Sequence, residues 1–298
     1  MHPPPDSLRQ TAALALTALL LATARPAGAL DLNAMWDFGN PALSEQRFRA
    51  ALVQASGDEA LILQTQIART HGLRRDFEAA RTVLAAIEPQ LASAGPEPRV
   101  RHALELGRSY SSATHAPATQ TAETRALARA AYLRALEQAR AARLDGLAVD
   151  VLHMLAFVDT APADQLRWGR EALALAQASE QADARRWRAT LHNNIGIALR
   201  ELGRPEEALA EFRTALALRQ EAGETARARI AQWMVANQLR LLGRADEALA
   251  LQLALARDNA AAGAPDPYVF EELEALYRAR GDAAQADHYA RLRAAGKP

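Results

Sequence analysis

A glycine followed five residues later by an alanine recurs three times in the last hundred residues of this sequence: Gly203 with Ala208, Gly243 with Ala248, Gly281 with Ala286. The first two glycines stand 40 positions apart and the last two 38. The stretch "NNIGIALRELGRPEEALAEFRTALAL" shows what is being repeated. Ile195, Gly196 and Leu199 lie at helical spacing, and Gly203 supplies the flexible residue that ends a helix. Pro205 suits a first helical position, and Glu206 and Glu207 sit at the positive end of the next helix dipole. Ala208, Phe212 and Ala215 then form one stripe of a second helix. A helical hairpin of this kind cannot bury its apolar face alone, so its recurrence at a fixed period predicts a stack.

Weaker copies lie upstream. Leu106, Gly107 and Tyr110 match the first helix, and Ala128, Tyr132 and Ala135 match the second. Aligning "RRDFEAARTVLAAI" places Ala79 and Val83 where the template has Ala208 and Phe212, and Ala172 aligns with Ala215 in a copy spanning 152–172. Alanine at the repeated position has a physical reason: neighbouring helices approach to about 8–10 Å only where the contact side chains are small. The chain is 50% hydrophobic but only 5% aromatic, so such a core rests on Ala and Leu.

These residues resemble the tetratricopeptide repeat family, carried by Leu106, Gly107 and Tyr110 in one unit and by Gly196, Ala208, Phe212 and Ala215 in another. The resemblance covers about residues 57–293 as six units. Their length is similar to the 40-residue class found in kinesin light chains and in bacterial peptide-sensing regulators. It implies an all-α, right-handed α-solenoid of stacked antiparallel helix hairpins over 57–298, with 30–56 as a capping segment. "NPALSEQRFRAAL" starts the cap helix at Asn40-Pro41, and Trp36 and Phe38 are expected to cover the open end.

Residues 1–29 read differently. Arg9 precedes the apolar run "TAALALTALLLA" at 11–22, and Ala27-Gly28-Ala29 forms an A-x-A site. Twelve apolar residues rise about 18 Å as a helix, short of the roughly 30 Å hydrocarbon core. The expectation is a secretory signal peptide cleaved after Ala29, with Ala27 and Ala29 in the peptidase pocket, and no stable membrane insertion afterwards. The exported chain would be periplasmic or secreted, in a bacterium. Basic and acidic residues number 35 each, so no basic footprint for nucleic acid exists. Zero cysteines excludes disulfides and thiolate chemistry.

No catalytic motif is present: no G-x-S-x-G, phosphate loop or dinucleotide fingerprint. His71, His102, His115, His153, His192 and His288 form no H-x-x-x-H pair, so no metal and no cofactor is expected. Glu271, Glu272 and Glu274 read as a solvated helix face. Segment 111–124, "SSATHAPATQTAET", is irregular and reads as a mobile flap or a plain insertion.

What remains is the groove. The resemblance implies that the first helix of each hairpin lines the concave side, where the family's ligands lie. Corresponding positions there collect Arg101 and Arg108, Asp150 and Met154, Asn193 and Arg200, Trp233, Asn237 and Arg240, then Glu271. Asn is a poor helix former, so Asn193-Asn194 in mid-helix asks for a reason. The run "LHNNIGIAL" is similar to kinesin-light-chain repeats, where Asn side chains bond a peptide backbone. The family's carboxylate clamp needs Lys and Asn where this chain has Asn193 and Ile197, so that mode is not supported. The expected binding set is therefore Arg108, Asn193, Arg200, Trp233, Asn237 and Arg240, facing a protein or peptide partner. A structural subunit of an envelope assembly is the alternative reading, and an enzyme a distant third.

Overall fold

The structure, a computed structural model, describes residues 30–295. The chain divides into two compact units, Met1–Ala34 and Met35–Pro298. Within the first, the described residues turn on Asp31, whose carboxylate accepts the backbone N–H groups of Asn33 and Ala34. The signal-peptide expectation, with Arg9, Ala27 and Ala29, lies outside the described residues.

In chain order the α-helices are α1 (Leu32–Met35), α2 (Pro41–Leu52), α3 (Gly57–Leu73), α4 (Phe77–Ile87), α5 (Pro96–Tyr110), α6 (Ala122–Ala141), α7 (Asp145–Val158) and α8 (Pro162–Ala178). The one-turn α9 (Ala182–Arg185) follows, then α10 (Arg188–Glu201), α11 (Pro205–Glu221), α12 (Thr225–Leu241), α13 (Ala245–Ala261), α14 (Pro267–Ala279) and α15 (Ala283–Ala295). No strand occurs among the described residues. From α3 onward, long helices pack in consecutive pairs, α3 with α4 through α14 with α15. Each pair also meets the next, through contacts such as α3 with α5 and α8 with α10. This is an all-α solenoid.

Small residues sit where the repeat demands them. Ala128, Ala208 and Ala248 are fully buried and Ala286 nearly so. In two hairpins a glycine of the first helix receives an aromatic ring of the second. A Cβ on Gly107 would lie 2.4 Å from the Tyr132 ring, and one on Gly196 2.6 Å from Phe212. Both rings are completely buried, so the two helices close only because that carbon is missing.

The first hairpin corrects the sequence alignment by one position. Ala80 and Leu84, not Ala79 and Val83, are the buried pair. The cause is the residue that ends the first helix. Gly203, Gly243 and Gly281 are left-handed, with φ of 70°, 76° and 75°, and each stands five residues before its buried alanine. In α3/α4 the left-handed residue is Arg75, at φ 65°, five before Ala80.

The cap forms as its start signal predicts: Asn40 Oδ1 accepts the Leu43 N–H, and Pro41 opens α2. Trp36 stacks on Phe38 at 4.7 Å and meets Phe48 edge-on at 5.0 Å. Segment 111–121 packs on the preceding hairpin through one histidine. His115 stacks on Phe77 at 3.6 Å, and Ser111, Ser112 and His115 are buried.

Candidate functional site

The first helices of successive hairpins carry an unusual load of buried charge. Glu105 on α5 accepts from Arg108 Nη1 at 2.6 Å and from Arg69 Nη1 of α3 at 3.2 Å. Arg108 Nη2 reaches across to Asp150 of α7 at 2.5 Å. The four side chains are between 4% and 22% exposed, so water screens them little. Burial works against the Arg108 charge, but Asp150 and Glu105 outweigh it and hold its pKa above the usual guanidinium range. Burial also opposes the Asp150 charge, yet Arg108 and Arg69 bring its carboxyl below the ordinary value. Arg69 is lowered, by burial and then by Arg108 beside it. Its guanidinium lies 5.8 Å from the Trp36 ring centre and 5.9 Å from that of Phe38, which ties the cap to this network.

Above these charges is a cavity of about 200 Å³. Ala68, Leu73, Met154, Phe157 and Trp187 give it apolar wall, and Ser112, Ala113 and Thr114 of the 111–121 segment close one side. His153 lies between Phe157 and Trp187, with ring centres 5.1 and 5.0 Å away. Burial pushes the His153 imidazole down to about 4, so it is neutral at physiological pH.

A second polar row crosses α10, α12 and α14. Arg200 Nη1 donates to Asn237 Oδ1 at 3.3 Å, and Asn237 Nδ2 donates to Glu272 Oε1 at 2.9 Å. Arg240 grips Glu272 with two bonds, Nε to Oε2 at 2.7 Å and Nη2 to Oε1 at 3.0 Å. The hydrogen bond from Arg240 to Glu272 raises the guanidinium pKa.

The structure therefore brings Arg200, Asn237 and Arg240 together from successive first helices. Arg108 belongs instead to the first row, at the other half of the stack. Asn193 is half-buried and donates to Asn194 Oδ1 at 3.4 Å. Trp233 is half-buried, its indole N–H donating to the Tyr268 carbonyl at 3.3 Å. The expectation of a solvated acidic face on α14 is corrected: Glu272 and Glu274 are each only 6% exposed, and Glu271 alone is exposed. Adjacent residues do point different ways on a helix, and the face that Glu272 takes is occupied by Arg240 and Asn237 of the preceding hairpin.

Of the residues lining this cavity, sequence reasoning placed Arg108, Asp150 and Met154 on the first-helix face and did not place Arg69, Glu105, His153 or Trp187 there. Arg69 and Glu105 have ordinary helical surroundings in the sequence, and only the stacking of α3 on α5 pairs them. Among the described residues, no group of three or more His, Asp or Glu is placed to hold a metal ion. Nor is any helix among them long and apolar enough to cross a membrane.

Residues 187–260 match the family profile of the tetratricopeptide repeat. Residues 187–260 carry tetratricopeptide repeats. Such repeats are, as a class, scaffolds that bind protein partners. The fold is similar to that of a signal transduction ATPase with numerous domains from Pyrococcus horikoshii, which carries a tetratricopeptide repeat sensor. That likeness has a TM-score of 0.66 at 13% identity and covers 86% of this chain and 39% of the other. This chain thus spans about two fifths of that protein's length. Aspartyl phosphate phosphatase F from Bacillus subtilis is similar at TM-score 0.54 and 15% identity, over 84% of this chain and 74% of that one. At these identities the likeness is one of fold. No curated protein matches the chain significantly.

Proposed function

We propose that this tetratricopeptide protein is an exported scaffold, not an enzyme, that holds an extended protein or peptide segment against the face built by its first helices. One observation carries the reading: buried charge is concentrated on that face. Arg69, Glu105, Arg108 and Asp150 occupy one half, and Arg200, Asn237, Arg240 and Glu272 the other. Stacking alone is served by Ala and Leu, and replacing buried ion pairs by well-packed apolar residues is often neutral or stabilising. A row of fixed donors and acceptors suits main-chain amides, which every extended segment presents. On α12 and α14, which carry part of the second row, Ile230 and Tyr268 are 66% and 67% exposed, and the Trp233 indole N–H donates to the Tyr268 carbonyl. Aromatic and aliphatic groups of this kind are frequent binding anchors.

The test is capture of a partner by the purified protein from its own cell-envelope fraction, followed by titration with the pair Ile230→Ser and Tyr268→Ala. Both side chains are exposed, so the fold is expected to survive. Affinity should fall about tenfold or more, as for an interface anchor. Unchanged affinity in a folded variant moves the binding surface elsewhere. Export is tested separately: N-terminal sequencing of protein secreted by a bacterial host should begin at Leu30, and retention of residues 11–22 would defeat that assignment.

A further inference from the structure

The cavity between α3, α5 and α7 has features that packing does not explain. The first is Gly72. Four other helical glycines make room for a neighbour, Gly146 and Gly169 among them, as Gly107 does for Tyr132 and Gly196 for Phe212. Gly72, in the last turn of α3, does not: a Cβ built on it would meet nothing within 4 Å, and its φ is not left-handed. A glycine inside a helix is unfavourable against alanine. At this position the missing side chain keeps open the space that Gly72 lines.

The second feature is unsatisfied polarity. Glu105 is 4% exposed, and its Oε2 is buried without a hydrogen-bond partner, although Oε1 takes two. His153 Nδ1 is likewise buried and unpartnered. Both residues line the cavity. A carboxylate oxygen only accepts, so the missing group is a donor.

Size and charge narrow the occupant. An apolar cavity of about 150 Å³ suffices for benzene, and this one, at about 200 Å³, has room for one ring. Two guanidiniums and two carboxylates cancel beneath it and His153 is neutral, so an added cation or anion gains no net attraction. Met154, Phe157 and Trp187 favour an aromatic body.

We propose that this cavity receives a tyrosine or tryptophan side chain of the segment lying on the first-helix face, its ring between Gly72, Phe157 and Trp187 and its O–H or N–H directed to Glu105. This rests on the groove reading above and adds the class of anchor residue that the partner must carry.

The test is calorimetric titration of the purified chain with the N-acetyl amides of tyrosine, tryptophan, phenylalanine, leucine, arginine and glutamate. Tyrosine and tryptophan amides should bind saturably. The phenylalanine amide, lacking the donor, should bind about tenfold more weakly, and the charged amides more weakly still. Gly72→Leu fills the cavity from its own wall and should reduce tyrosine-amide binding by about tenfold or more. Its melting temperature should hold or rise, since leucine is the better helix former. Phenylalanine equal to tyrosine, a preference for arginine or glutamate, no saturable binding, or an indifferent Gly72→Leu variant each overturns the proposal. A captured partner that ignores Gly72→Leu while the amides bind also overturns it, leaving the cavity to a free phenol or indole. If the amide series fails but the partner still depends on Ile230 and Tyr268, the anchor inference falls and the groove reading stands.

Discussion

At the scale of single residues, backbone sign and missing carbons decide the packing. Arg75 holds a left-handed φ of 65° where three later hairpins use glycine. For an L-residue that conformation costs about 1–2 kcal/mol, partly offset by glycine's larger loss of freedom on folding. Arg75 is exposed, so Arg75→Gly should stabilise the chain by roughly 0.5–1 kcal/mol, read as a higher urea midpoint with an unchanged slope. The opposite case is Gly196. An added Cβ would stand 2.6 Å from the buried Phe212 ring. Gly196→Ala should therefore cost about 1–3 kcal/mol through overpacking, well above what a change at an open helical position costs. A melting curve equal to that of the unmodified chain would remove the Gly196–Phe212 contact from the account. Gly196 and Phe212 were both legible in the repeat pattern. Arg75 was not, because nothing in an arginine's identity marks positive φ, and the one-residue error at Ala79 followed directly from that.

Among elements, segment 111–121 is the one whose state should respond to pH. His115 Nδ1 accepts the Ser112 N–H at 3.2 Å, and Nε2 lies 3.3 Å from the Ser109 carbonyl. Both bonds fit a neutral ring with its proton on Nε2. Burial lowers the His115 pKa below 6.5, and Arg81 acts in the same direction. The folded pKa thus lies below the unfolded one. The segment is fully held above pH 6.5, and its stability is lost as pH falls through the lower, folded value. Limited proteolysis within 112–121 should be faster at pH 5 than at pH 7.5. In His115→Phe, which keeps a ring against Phe77 but cannot titrate, the two rates should converge. Cleavage independent of pH in the unmodified chain would show that His115 does not govern the segment. The sequence marked this stretch as irregular but could not show it packed, since the stack of His115 on Phe77 joins residues 38 positions apart.

Over the whole molecule, stability in a solenoid is a sum over neighbours, so hairpins with one neighbour open before those with two. The pair α14/α15 ends the described stack, and its main helical neighbours are each other and α13. Amide hydrogen exchange should therefore be faster at Leu276 and Ala286 than at Leu199, although all three are buried; a uniform rate across them would mean the array opens only as one unit. The all-α class, the hairpin period, the small-residue positions and the cap start at Asn40-Pro41 were fixed by local chemistry: glycine and proline at turns, alanine at close contacts, apolar residues at helical spacing. Those signals act within one hairpin, about 40 residues, and need no distant partner to be read. The candidate site is different. Arg200, Asn237 and Arg240 were placed on one face by repeat register alone, but their engagement with Glu272 was not foreseen, because a charged residue on a helix carries no mark of whether water or another hairpin faces it. The cavity beneath Trp187 depends still more on assembly. Its walls come from Ala68, Arg108, Met154 and Trp187, far apart in the chain, and it exists only where three first helices and the 111–121 segment leave a space that Gly72 does not fill. Turn and packing positions are local and recur with the repeat, whereas charge pairing and empty volume belong to the contacts between repeats, which tertiary structure alone decides.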